Sequence, residues 1–154
     1  MSLIACVIDS DIAIDYLRLQ DYAINLLDTW ATKGRIGISS LTFFEVYQGI
    51  RPKEENNTSV FLNGLFSVSV SNETARHAGL MSKELSSSGI TLGLADAIIA
   101  ATALELGVPL ITNNIKHFSV PGLTIVHGKG GDSFQVRERR HRYLAGKSKL
   151  TANR

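Results

Sequence analysis

Apolar residues fall into strand-length runs separated by helix-length segments. Leu3, Ile4, Ala5, Cys6, Val7 and Ile8 run unbroken into Asp9, the pattern of a strand buried on both faces of a parallel sheet, with a carboxylate at its C-terminal end. Ile36 to Ile38 make a second short run, Phe66, Val68 and Val70 alternate with serines, and Val108 to Thr112 is again continuous. Leu123 to Val126 supplies a fifth strand, placed at an edge. Between them the spacing predicts a short helix after Asp11, a helix over 21–32 with Gly34 beyond its end, and a third from near Leu41 to Gly49 with Ser39 and Ser40 as N-caps. Two more follow, over 72–87 and 93–106, the last apolar nearly all round and therefore central. Lys53 to Asn63 reads as a polar loop leading into a short helix.

Strands alternating with helices of this length imply right-handed crossovers. The expected fold class is α/β, three-layer α/β/α, with a mainly parallel central sheet of four to five strands. At 154 residues one core suffices. Residues 1–128 are expected to form the domain, and 129–154 a flexible tail in which no packed element is predicted.

Charge sharpens that boundary. Residues 1–128 hold eight Lys and Arg against twelve Asp and Glu, whereas 129–154 hold eight against two, so a net charge of +2 averages an acidic body with a basic tail. Arg137, Arg139, Arg140, Arg142, Lys147 and Lys149 are available to phosphates there, or serve only to solvate the chain. No run is long enough to span a membrane, and the first residues lack the pattern of a signal peptide, so a cytoplasmic protein is expected. The single cysteine, Cys6, lies inside the first run and reads as a small buried hydrophobe.

Three acids stand in apolar surroundings where a lone charge is costly. Asp9 closes the first strand, Glu45 follows Phe43 and Phe44, and Asp96 opens the most apolar helix. A helix cap or an arginine partner explains any one of them. Arginines are too few in the body to explain all three, and a divalent ion, a hard cation that prefers oxygen ligands, is the alternative.

Four motifs in order, VIDSDIAIDYL (7–17), ISSLTFFEVYQGI (38–50), LADAIIAATALELGVPLITNN (94–114) and KHFSVPGLTIV (116–126), resemble the PIN-domain ribonucleases, and among them the VapC toxins of toxin–antitoxin pairs. The resemblance implies a PIN-like fold and a homodimeric, Mg²⁺- or Mn²⁺-dependent endoribonuclease held in check by a cognate antitoxin protein. Its cut leaves a 5′-phosphate and a 3′-hydroxyl. By position, Asp9, Glu45 and Asp96 match the family's metal-binding acids, and Asn114 occupies its fourth acidic place. Thr112 matches a hydroxyl that orients water or a carboxylate, and Ser10 and Asp11 match the small polar pair after the first acid. Nothing in the resemblance covers the chain after Gly128.

Other readings compete for some of these residues. Asp9-Ser10-Asp11 also has the form of the DxD of a haloacid-dehalogenase-type phosphatase, but Asn113 and Asn114 stand where that family needs acids. Asn114 also leaves open a non-cleaving PIN module that binds RNA or a protein. His77, His117, His127 and His141 share no metal-ligand spacing. Tyr47 near Glu45, and His117 at the rim of the expected site, are the candidates for contact with RNA.

Overall fold

A computed structural model describes residues 3–130 and 133–136. Its strands are β1 (Ile4–Ile8), β2 (Arg35–Ser39), β3 (Phe66–Val68), β4 (Leu110–Thr112), β5 (Thr124–His127) and β6 (Ser133–Gln135). They form one sheet in the order β3-β2-β1-β4-β5-β6, parallel throughout except for β6, which pairs antiparallel with β5. The helices are α1 (Ser10–Leu17), α2 (Asp21–Ala31), α3 (Ser40–Gly49), α4 (Glu55–Asn63), α5 (Asn72–Ser87) and α6 (Leu94–Leu106), with 3₁₀ turns at Pro52–Glu54 and Ile115–His117. The expected α/β/α architecture is present, and no helix among the described residues is long and apolar enough to cross a membrane.

The period of two along each strand divides the core. Val7, Leu110 and Ile125 pack with the buried residues of α5 and α6, whereas Cys6, Ile8, Ile111 and Val126 pack with α1, α2, α4 and Val46 of α3. Buried on both sides, β1 and β4 have their C-terminal ends side by side at the centre of the sheet, through the Val7–Leu110 and Ile8–Ile111 pairs. That is where an open parallel sheet presents its ligand site. Helix α6 is buried from Ala97 to Ala103 and ends on Gly107 at φ +67°, a left-handed cap that favours glycine.

Three expectations need correcting. The fifth strand is internal, because β6 covers its far side, with Val136 N–H donating to Leu123 O at 3.0 Å and Gly122 N–H to Val136 O at 3.3 Å. A packed element therefore lies beyond His127. It escapes the sequence pattern because so short a strand is held by backbone pairing rather than by a periodic apolar face. The loop expected ahead of a short helix in 53–63 is itself helical, a 3₁₀ turn to Glu54 followed directly by α4: the Arg51 N–H donates to Glu54 Oε2, the Thr58 hydroxyl to Glu54 O, and Leu62 is fully buried. The tail from Arg137 onward lies outside the described residues.

Gly34 enters β2 where Leu3 O accepts the Arg35 N–H at 2.7 Å, and a Cβ there would stand 2.3 Å from that same carbonyl oxygen. Gly79, inside α5, faces open space. Gly34→Ala is expected to cost about 1–3 kcal/mol, and Gly79→Ala to gain about 0.4–1 kcal/mol. Urea unfolding midpoints check both, and equal shifts would show that the β1–β2 junction is not tight.

Candidate active site

The site is built from the strand ends upward. Asp9 is both the residue that follows β1 and the N-cap of α1. Its Oδ1 accepts the Ser10 N–H at 2.8 Å and its Oδ2 accepts the Thr112 hydroxyl at 2.8 Å, so its two oxygens are fixed by α1 and by β4. The Thr112 hydroxyl oxygen in turn accepts the Asn114 N–H at 3.0 Å. One threonine thus orients the first acid and shapes the loop that presents Asn114.

Glu45 and Asp96 reach the same cleft from α3 and α6. Burial raises the pKa of Asp9, which the Thr112 and Ser10 hydrogen bonds only partly offset. Burial raises Glu45 as well, followed by the charge of Asp9, with the Ser10 hydroxyl pulling it back and Asp96 pushing it further. Asp96 is raised by burial and then by Asp9, against a downward pull from His117. Glu45 and Asp96 both feel the charge of Asp9, and Glu45 also that of Asp96, which locates all three in one cleft. Glu45 Oε1 is buried without a hydrogen-bond partner, an arrangement that costs free energy unless a cation or water completes it. The carboxylates are not drawn into chelating contact: among the described residues no three His, Cys, Asp or Glu side chains converge closely enough to hold an ion as they stand.

Asp11 sits apart in role. Its Oδ1 accepts the Ile12 N–H and its Oδ2 the Asn113 N–H, both at 2.8 Å. Burial, and then the charge of Asp9, push its pKa up to about 6. Both oxygens are engaged by backbone N–H groups, so Asp11 ties the start of α1 to the site loop. Tyr47 is exposed on α3 with its ring 6.4 Å from that of Phe43. His117 stands with Nδ1 3.6 Å from Asp96 Oδ2, so it faces the acidic cleft itself.

Sequence reasoning missed two residues. The Asn113 amide donates to the Tyr22 hydroxyl at 2.7 Å and accepts the Lys129 N–H at 3.0 Å, while the Tyr22 hydroxyl donates to Asp15. Asn113 thereby ties the site loop to α2 and to the exit of β5. The Asn-Asn doublet after β4 was the available signal, but only the second residue had a role to match.

The PIN domain family matches residues 6–123. Ribonuclease VapC19 of Mycobacterium tuberculosis is 33% identical over 112 residues, which is 72% of this chain and 90% of that one. The tRNA(fMet)-specific endonuclease VapC of Salmonella typhimurium is 32% identical over 97 residues, 59% of this chain and 74% of the relative. Among solved structures, VapBC2 of Rickettsia felis bound to a promoter DNA fragment superposes with a TM-score of 0.70 at 28% identity, covering 79% of this chain and 97% of that chain. A toxin–antitoxin complex from Klebsiella pneumoniae gives 0.68 at 29%, covering 80% and 98%. The family match over residues 6–123, with these relatives covering most of the chain, makes the chain a member of the PIN-domain family.

Proposed function

We propose that the protein is a metal-dependent endoribonuclease, the toxin half of a toxin–antitoxin pair, cutting RNA in the cleft of Asp9, Glu45 and Asp96. The observation that carries this reading is the partnerless Glu45 Oε1 inside a cleft where burial raises the pKa of all three acids, and where the charge of Asp9 raises Glu45 and Asp96 further. Such a set is short of positive charge, and its hard oxygen donors fit Mg²⁺ or Mn²⁺. The names of the relatives supply the reaction class.

In this reading Asp9 and Asp96 are the principal ligands, and Glu45 acts through water, as ligand or as general base. Asn114 is a neutral group that positions water. When bound, the ion supplies a lowered pKa for water and positive charge beside the phosphoryl oxygens. The chain's own part is orientation. Thr112 and the Ser10 N–H fix the Asp9 carboxylate, and Asp11 holds the site loop through the Asn113 N–H. A second reading, a PIN module that binds RNA without cutting it, is favoured by Asn114 alone. Incubating the protein with structured RNA and Mn²⁺, against EDTA, separates the two, and absence of metal-dependent cutting supports the second.

Two partners follow. A homodimer is supported by exposed apolar side chains on α3 and α6, Phe44 at 62% and Leu94 at 77% exposure. Phe44→Glu with Leu94→Glu is expected to halve the mass measured by light scattering, and an unchanged mass would place the interface elsewhere. The antitoxin is expected to place an arginine among the three acids, meeting the same charge deficit as the metal. A complex structure in which Asp9, Glu45 and Asp96 touch no antitoxin residue would refute that mode.

Asp96→Asn tests the site by two opposite readouts. Cleavage of RNA is expected to fall more than about a hundredfold. The stability of the metal-free protein is expected to rise, because an acid whose folded pKa exceeds its unfolded value weakens the fold as pH rises. That penalty is absent below the ordinary carboxylate value of 3.8, where both states are protonated, and is complete above the raised folded value. The melting-temperature gain of the variant over wild type should therefore be near zero in acid and grow towards neutrality. Full cleavage, or a gain independent of pH, would overturn the assignment.

A further inference from the structure

A groove of about 550 Å³ runs between α2 and β5, on the face of the sheet that carries α1 and α2. Tyr22, Asn25, Thr29 and Trp30 line its helix side, and Lys33 and Lys129 stand on it. Its lining holds no Asp or Glu, although the body of the chain is acidic and Asp15 accepts the Tyr22 hydroxyl at one end of the groove. Lys33 Nζ lies 4.2 Å from the centre of the Trp30 ring and Lys129 Nζ 5.5 Å from that of Tyr22, so each aromatic is paired with a cation. Tyr22 to Trp30 spans about 12 Å of helix at 1.5 Å per residue, room for a short length of an extended strand.

The upper end of the groove adjoins the site. The Tyr22 hydroxyl is hydrogen-bonded by the Asn113 amide, and Asn113 also accepts the Lys129 N–H, one residue before Asn114. We infer that this groove is a track for a single-stranded flank of the RNA substrate, with phosphates on Lys33 and Lys129 and bases against Trp30 and Tyr22. Charge and continuity with the cleft select that occupant: the cleft is acidic and repels an RNA backbone, while the adjoining groove offers the cations and ring faces that single strands use. Basic residues near the site are otherwise sparse in the body, and a ribonuclease needs some of its affinity from phosphate contacts.

The inference rests on the ribonuclease reading, and the experiment separates the two. Binding of a fluorescent single-stranded RNA to full-length Asp96→Asn protein, with Mn²⁺, is measured by anisotropy across a salt series. Each phosphate contact contributes about 0.7 to the slope of log K against log salt for a single strand. Lys33→Glu and Lys129→Glu are each expected to reduce the slope by about that amount, whereas Thr29→Lys, on the same exposed wall, is expected to increase it. In the Asp96-intact protein, the ratio of kcat/KM for a long RNA to that for a hexamer should fall severalfold with Lys33→Glu. Slopes and ratio unchanged by all three substitutions, with cleavage by wild type intact, would overturn the track and leave the nuclease standing. No cleavage by wild type would remove the nuclease reading itself. Slopes unchanged while Lys33→Glu alters the mass in solution would assign the groove to a copy–copy contact, which equally overturns the track.

Discussion

The hydrogen bond from Thr112 to Asp9 joins residues 103 positions apart and is fully buried. It fixes the rotamer of the first acid, closes the β1–β4 junction at the polar end of two otherwise apolar strands, and through the Asn114 N–H sets the start of the following loop. In a low-dielectric setting an unpaired hydroxyl or carboxylate is costly, so this pair restrains both strands against sliding. The remaining acids depend on it, because the charge of Asp9 acts on both Glu45 and Asp96. Sheet order and site geometry therefore share one constraint.

The fold supports a cleft that is electrostatically unfavourable when empty of cations. Helices α3 and α6 are placed by apolar packing, with Val46 in one core and Ala97 to Ala101 in the other, and they bring Glu45 and Asp96 along as passengers. Burial of the surrounding methyl groups supplies the stability that the acids remove. Under the proposed function, stability and activity are opposed at the same side chains, a pattern common at functional sites.

Much of this was legible in the sequence, for reasons that can be named. Leu3 to Asp9, Val108 to Thr112 and the all-round apolar 93–106 segment announce a parallel sheet because both strand faces and the helix are buried. Asp9, Glu45 and Asp96 stood out because each interrupts apolar surroundings, and the PIN resemblance ordered them. Less was legible where structure depends on backbone pairing or loop conformation. β6 has no periodic face to betray it, and the start of 53–63 read as a loop, with the helix shorter than it is, because only Thr58 and Leu62 of α4 are buried. The Asn113–Tyr22 link and the approach of His117 to Asp96 join residues whose spacing in sequence carries no signal.

Gly128 follows β5 and donates its N–H to Thr112 O at 3.2 Å, with no space around its α-carbon. A Cβ there would lie 2.5 Å from Ile12 Cδ1 and 2.7 Å from Asn113 Oδ1. A side chain at this position must push aside the ends of Ile12 and Asn113, the latter being the amide that anchors the loop of Asn114, although Gly128 itself carries no functional group. The tolerance of the site loop to change is therefore set partly by a residue with no functional group: a substitution at Gly128 reaches Asn113 while sparing every charged residue in the cleft.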